Sequence, residues 1–310
     1  MIRNANQKRQ LALSLPLAAL CTLSACTSEP ELPKPDVVFM ITLDTLRADH
    51  LGSYGYMRDT SPNLDAFAKE SVFFENAITT MSTTLPAHVS LFTGTHTIHH
   101  GVESNFNMSF NGFEARDDLN SMVPVFQREG YQTAAFVSTV PLMKNTGIHL
   151  GFDEFFEPDL EKEEYFLSAE VINEKVYSWL ETRPEGPAFV WIHYSDPHSP
   201  YVPPKGFNTF REDPELNKVI ATRMGKQPNK QVIDLYNAYD GEVRYLDHEL
   251  GELFKAIRKH GLYDNSVITI VGDHGEGLEQ HGWIAHGPDG IADCDDRDFP
   301  CSAGRCGGIR

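Results

Sequence analysis

Apolar residues run without interruption from Val37 to Leu43 and stop at Asp44, as in a short strand buried on both faces. The same reasoning predicts strands over 132–137, over 188–193 after the turn Pro184-Glu185-Gly186-Pro187, and over 266–271, just ahead of Asp273 and His274. Residues 169–180 carry helical spacing. Over 231–259, Val232, Leu235, Tyr239, Val243, Leu246, Leu250, Leu253 and Ile257 all fall three or four apart and predict a long amphipathic helix. Ser61-Pro62 ahead of Leu64, Phe67 and Ala68 reads as a capped helix start, and Pro86 in the first turn of another helix puts Thr84 at or next to its N-cap. Strands alternating with helices predict an α/β fold: a mostly parallel central sheet with helices on both faces. Ligands of such sheets collect beyond the carboxyl ends of the strands, where Asp44, Asp196 and Asp273 would stand.

The two ends of the chain break this pattern. Arg3, Lys8 and Arg9 precede an apolar stretch, Leu11 to Leu20, and then Leu23-Ser24-Ala25-Cys26. This is the order of a secretory signal, and the stretch is too short to span a bilayer. The signal resembles that of bacterial lipoproteins. Residues 1–25 are therefore expected to be removed, Cys26 to carry lipid, and residues 26–35, with Pro30, Pro33 and Pro35, to form a tether. The expected location is the cell envelope, periplasm-facing or at the surface, with the outer membrane favoured because position 27 is not Asp. Residues 288–310 lack hydrophobic periodicity and crowd Cys294, Cys301 and Cys306 among Asp, Gly and Arg. That abrupt change reads as an anomalous tail, as a frameshift or artificial end would produce, so function is argued from 36–287.

Composition narrows the chemistry. The chain has 310 residues with a formal net charge of −18, and such an acidic protein has no net basic field for a nucleic acid backbone. To handle anions it needs metal ions or a local cluster of His and Arg. Between Thr27 and Ala292 there is no Cys, so the body relies on its core rather than on disulfides.

Three clusters carry the candidate chemistry. Asp273-His274-Gly275-Glu276, followed by His281 and His286, sits at a strand end, where carboxylate and imidazole can converge on one divalent cation with Asp44; the bland reading is a helix cap with surface histidines. Thr84-Leu85-Pro86-Ala87-His88 opens a helix whose free backbone N–H groups suit an anion. A Thr hydroxyl there needs a base or a metal to become a nucleophile, and the bland reading is a capping Thr. His193-Tyr194-Ser195-Asp196-Pro197-His198 follows a strand, with its prolines keeping the backbone extended so that Asp196 and His198 point the same way. His96, His99 and His100 divide evenly between a solvated loop and a metal role. Asp240 and Glu242, in the long helix, are expected to be solvated or to anchor it as buried groups rather than to catalyse.

Taken in order, Ile41-Thr42-Leu43-Asp44-Thr45-Leu46-Arg47-Ala48-Asp49-His50, Ser61-Pro62-Asn63-Leu64-Asp65, Thr84 to His88 with Leu91-Phe92-Thr93-Gly94, Gly151-Phe152-Asp153, Asp196-Pro197-His198 and Gly272-Asp273-His274-Gly275-Glu276 resemble the sulfatase branch of the alkaline phosphatase superfamily. The resemblance covers about residues 36–287. It implies an alkaline phosphatase-like fold and hydrolysis of sulfate or phosphate esters. Asp44, Asp273, His274 and Thr84 would be the metal ligands, and Thr84, with His88, the catalytic pair. Asp196, His198, His281, His286 and Arg47 would bind substrate oxygens or a second metal. Zinc or manganese fits the His-rich set, and calcium fits the family's formylglycine members. Substrates would be sulfated or phosphorylated small molecules, glycans or lipids.

The departures from the family pattern shape the expected reaction. Formylglycine sulfatases carry Cys or Ser at position 84 and Arg at position 88, and Thr cannot become formylglycine. A Thr nucleophile followed by Leu-Pro-small-His looks more like the phosphodiesterase and phosphoethanolamine transferase relatives. Transfer of a phospho group to a surface glycan or lipid, and noncatalytic metal binding, therefore stay open beside hydrolysis. Family members continue past the His-Gly pair into another strand and a small C-terminal subdomain, which this reading expects to be missing here.

Overall fold

The computed structural model describes residues 34–105, 120–280, 284–286 and 308–309; all but Lys34 belong to one compact unit that starts at Pro35. The expected signal, tether, Cys26, His281 and nearly all of the tail lie outside the described residues. The sheet contains β1 (Val37–Leu43), β2 (Val72–Phe73), β3 (Gln132–Phe136), β4 (Glu154–Phe156), β5 (Ala188–Tyr194), β6 (Ser266–Gly272) and β7 (Gly308–Ile309), in the order β2-β7-β6-β1-β5-β3-β4. The run β6-β1-β5-β3-β4 is parallel throughout, and β7 is antiparallel to both its neighbours. The predicted strands are present within a residue. β2 and β4, too short to carry a pattern, were not anticipated.

Period-two alternation in the central strands creates two cores. Val37, Phe39, Ile41 and Leu43 of β1, with Val190, Ile192 and Tyr194 of β5, pack beneath α1 (Pro62–Lys69), α5 (Ala169–Thr182), α6 (Pro214–Met224) and α7 (Lys230–Lys259). Met40, Phe189 and Trp191 point the other way, against α2 (Thr84–Thr93) and α4 (Met122–Arg128). A short α3 (Thr97–His100) follows α2. Among the described residues no helix is long and apolar enough to cross a membrane.

α7 also anchors the loop that follows β1. Asp240 is fully buried and accepts from Arg58 Nη1 at 2.7 Å and from the Tyr56 hydroxyl at 2.7 Å, and its other oxygen lies 2.6 Å from His50 Nδ1. The expected anchoring role of Asp240 is therefore what the structure shows. Removing one partner of such a set strands the others in a dry interior. Asp240→Ala is expected to lower the unfolding free energy by about 3–5 kcal/mol, measured by urea unfolding against the parent chain.

Glu242, two residues further along α7, is also buried, and its Oε1 accepts the Val202 N–H at 2.7 Å. Burial first, and the nearby Asp196 second, push its pKa up to about 8. An unfolded Glu titrates near 4.3, so the folded chain binds the extra proton. The stabilisation is complete at acid pH and is lost as pH rises through 8. Glu242→Gln is accordingly expected to melt above the parent at pH 8.5 and to lose that advantage at pH 5, as read by thermal denaturation at the two pH values.

Candidate active site

Strand register brings the site together. Leu43 pairs with Gly272 across β1 and β6, so the next residue of each strand, Asp44 and Asp273, emerges side by side beyond the carboxyl edge. Both are tied down, Asp44 by its backbone N–H, which donates to the Tyr194 carbonyl at 2.8 Å, and Asp273 by its side chain, whose Oδ1 accepts from Thr45 N–H at 3.2 Å and His274 N–H at 2.7 Å. The N-terminal turn of α2 then carries Thr84, 1% exposed, over this edge.

The donors face one point. His274 Nε2 lies 3.5 Å from Asp44 Oδ1, 3.5 Å from Asp273 Oδ2 and 3.3 Å from Thr84 Oγ1. Ligands of a tetrahedral cation at about 2.1 Å stand about 3.4 Å apart, so the spacing fits a metal. The hydrogen bonding fits as well. Asp273 uses Oδ1 for backbone amides and leaves Oδ2 without a partner, and both Asp44 oxygens are buried and unpartnered. His274 Nδ1 faces the Gly275 carbonyl at 3.0 Å and so carries the ring proton, which leaves the Nε2 lone pair toward the site. Asp44, Asp273 and His274 would hold the cation, with Thr84 completing the set.

Electrostatics agree with that arrangement. Burial, reinforced by Asp273, raises Asp44 to about 6, and burial raises Asp273 to about 7. Burial also holds His274 below the usual imidazole range, that is, neutral. Two carboxylates forced together in a dry site want a positive charge. His286 differs from His274: burial opposes its charged form, but the contact of Nδ1 with Glu276 Oε1 at 3.3 Å and the surrounding carboxylates outweigh it and raise its pKa. Its ring lies 4.4 Å from that of His274 and 5.0 Å from that of His198, which in turn meets the half-exposed ring of Phe166 at 5.0 Å.

Several expected roles change. Arg47 was expected to bind substrate oxygens, but its guanidinium is committed to protein: Nε and Nη2 to Asp49, Nη2 also to Gln280 Oε1, and Nη1 to the Glu276 carbonyl. It clamps the loop after β1 to the loop after β6. Asp196 and His198 do not share a target. Asp196 Oδ1 accepts the Ala169 N–H at the start of α5, whereas His198 Nδ1 donates to the Ser199 carbonyl and only its ring joins the His286 group. The open anion cradle expected at the head of α2 is largely spent: Leu85 N–H donates to Asn105 Oδ1 at 2.8 Å, Pro86 has no N–H, and Ala87 N–H closes on the Thr83 carbonyl. His88 lies 2.7 Å from the main-chain oxygen of Thr84 rather than from its hydroxyl. His100 is buried against Ser90 Oγ, behind α2 and apart from the ligands.

The site also contains a residue that the sequence analysis named in its third cluster without giving it a role. His193, fully buried at the end of β5, directs Nδ1 to Ser138 Oγ at 2.8 Å and has Nε2 unpartnered, 3.7 Å from Asp44 Oδ2. Its place among apolar strand residues hid it; the signal was its parity, which puts it on the α2 face with Trp191. With His88 and Asp273 it forms a second group close enough for a cation among the described residues. The carbonyl-bound Nδ1 of His88, the nitrogen nearest Asp273, has no lone pair to offer that group.

Carboxylates and an imidazole thus gather beside a buried hydroxyl at the carboxyl edge of a mostly parallel α/β sheet. The sulfatase family model matches residues 35–299, and the chain belongs to that family. It is 26% identical to an arylsulfatase of Clostridium perfringens, over 82% of this chain and 66% of that protein. It is 23% identical to an N-acetylglucosamine-6-O-sulfatase of Bacteroides thetaiotaomicron, over 88% of this chain and 64% of that protein. The chain thus spans just under two thirds of the length of these relatives. Its fold is similar to that of the C-terminal periplasmic domain of EcEptC from Escherichia coli, solved in complex with Zn, with a TM-score of 0.65 and 18% identity over 83% of this chain and 70% of that one.

Proposed function

We propose that this chain is the catalytic body of a metal-dependent hydrolase of sulfate or phosphate esters in which Thr84 is the nucleophile. One observation carries the reading: Asp44, Asp273 and Thr84 each place an oxygen 3.3–3.5 Å from His274 Nε2, and both Asp44 oxygens and Asp273 Oδ2 are buried without a hydrogen-bond partner. A divalent cation bound there would favour the ionised form of the Thr84 hydroxyl and draw charge from the substrate oxygens. Thr84 Oγ1 gives its proton to solvent and forms the new bond to sulfur or phosphorus in line, while the ester bond to the leaving oxygen breaks with its electron pair going to that oxygen. Water then cleaves the covalent Thr84 ester. His286, whose charged form is favoured, and His198 beside it stand where they can balance the equatorial oxygens or give a proton to the leaving oxygen.

Zinc or manganese suits two carboxylates, an imidazole and a hydroxyl, and the zinc complex of the EcEptC domain is consistent with that choice. The sulfatase names of the relatives support sulfate esters of sugars as substrates, whereas Thr in place of a formylglycine precursor supports phosphodiesters. Comparing hydrolysis of an aryl sulfate and an aryl phosphodiester across added zinc, manganese and calcium decides this. A preference for the phosphodiester is the expected result, and turnover that survives Thr84→Ala would overturn the nucleophile. We also propose that lipid on Cys26 holds the enzyme at the cell envelope. Fatty-acid labelling of the full chain in a bacterial host is expected to disappear in Cys26→Ala, and label retained in that variant would refute the anchor.

A further inference from the structure

Beneath the ligand cluster, on the α2 face of the sheet, lies a buried hydrogen-bonded chain that the chemistry above leaves unused. Trp191 Nε1–H donates to Thr42 Oγ1 at 2.9 Å, Thr42 Oγ1 lies 3.0 Å from His88 Nε2, and His88 Nδ1 lies 2.7 Å from the carbonyl oxygen of Thr84. Thr42, His88 and Trp191 are all fully buried. Elementary donor rules set the direction. A carbonyl oxygen has no proton to give, so His88 Nδ1 carries the ring proton. Nε2 is then the acceptor for the Thr42 hydroxyl, whose own oxygen receives the indole N–H. The two strands meet the helix here: Thr42 belongs to β1 and Trp191 to β5, two residues before His193, the register partner of Thr42, and on the same face of the sheet.

Both nitrogens of His88 are thereby occupied, and neither faces Thr84 Oγ1. A general base needs a free lone pair on the hydroxyl it deprotonates, and a metal ligand needs one on the cation. We propose that His88 is a positioning residue: the Trp191–Thr42–His88 chain grips the Thr84 carbonyl, fixes the first turn of α2 against β1 and β5, and so aims Thr84 Oγ1 at the substrate. The turn has need of such a grip. Thr83 makes no side-chain capping bond, and Pro86 contributes no N–H. The proposal rests on the reading of Thr84 as nucleophile, and its first readout is independent of turnover.

That readout is the tautomer. Nitrogen-15 NMR of histidine-labelled full-length protein is expected to show His88 among the imidazoles protonated at Nδ1 and bare at Nε2, its signal assigned by its absence from His88→Gln. A proton on Nε2 of His88 instead of Nδ1 overturns the proposal, even if the chain hydrolyses neither test ester. The kinetic arm compares His88→Ala with His88→Gln, whose amide N–H can still reach a carbonyl. A nucleophile displaced by about 1 Å costs about 10²-fold in rate. Accordingly, His88→Ala is expected to lose about that factor in kcat at unchanged KM, pH profile and zinc stoichiometry, and His88→Gln to recover most of it. Loss of the acidic limb of the profile would make His88 a base, and loss of zinc by elemental analysis would make it a ligand; either refutes positioning. Should His88→Ala fail to fold, Thr42→Val cuts the same chain one link earlier and is expected to give the same split between kcat and KM.

Discussion

Thr84→Ala is expected to reduce kcat for whichever ester the parent hydrolyses by at least about 10³-fold, the scale on which removal of a nucleophile acts. The hydroxyl is 1% exposed and sits 3.3 Å from His274 Nε2, so its deletion removes both the attacking atom and one donor of the candidate metal set. Metal binding should weaken without disappearing, because Asp44, Asp273 and His274 remain. Fold should survive: the substitution removes one hydroxyl and one methyl from a turn whose backbone is held by other bonds. The informative comparison is Thr84→Ser, which keeps the oxygen. It is expected to retain measurable turnover and, at equal metal occupancy, to separate loss of the nucleophile from loss of the metal. Equal inactivity of both variants with metal bound would count against attack by residue 84.

The second large effect is expected from the metal itself. In Asp44 and Asp273 the dry interior holds two carboxylates side by side with unpartnered oxygens. A cation that binds this arrangement and not the unfolded chain stabilises the fold by about 2.7 kcal/mol at a hundredfold excess over its Kd. Chelation is therefore expected to lower Tm by several degrees and abolish turnover, and zinc or manganese to restore both. In Asp273→Asn the same titration should leave Tm flat, because the amide offers a weaker ligand and removes the charge that draws the ion in. A Tm that rises with zinc as much in Asp273→Asn as in the parent would place the ion elsewhere.

The contrast between His274 and His88 shows what could be read in advance. Asp273-His274 follows an uninterrupted apolar run, and a strand's carboxyl end is where an α/β sheet presents its ligands, so the placing of this pair at the ligand edge of the sheet was legible from local pattern. Asp44 followed by the same logic. Thr84 was legible because Pro86 marks a helix start. His88 belonged to the same motif, yet its partner depends on a hydrogen bond to its own turn and on Thr42 from a distant strand. Arg47 stands in a motif as visible as any, but its donors are spoken for by Asp49, Gln280 and the Glu276 carbonyl, and no spacing rule announces that.

Sequence alone determined the elements that depend on neighbours along the chain: the apolar run of β1, the three-and-four spacing of α7, the strand ends that carry Asp44 and Asp273. Hydrophobic periodicity and proline chemistry act over a few residues, and they can be read at that range. The tertiary structure decided what depends on register and parity across the sheet. The pairing of Leu43 with Gly272 put the two aspartates side by side. The alternation of β5 turned His193 and Trp191 toward α2 rather than toward α7. Which lone pairs remain bare is likewise a property of contacts between residues far apart in the chain: Asp273 and Thr45 are 228 residues apart, and His88 and Thr42 are 46 apart. Buried polar groups must find partners wherever the fold brings them, and it is the groups left without one, Asp44 and Asp273 Oδ2, that mark the place for a cation.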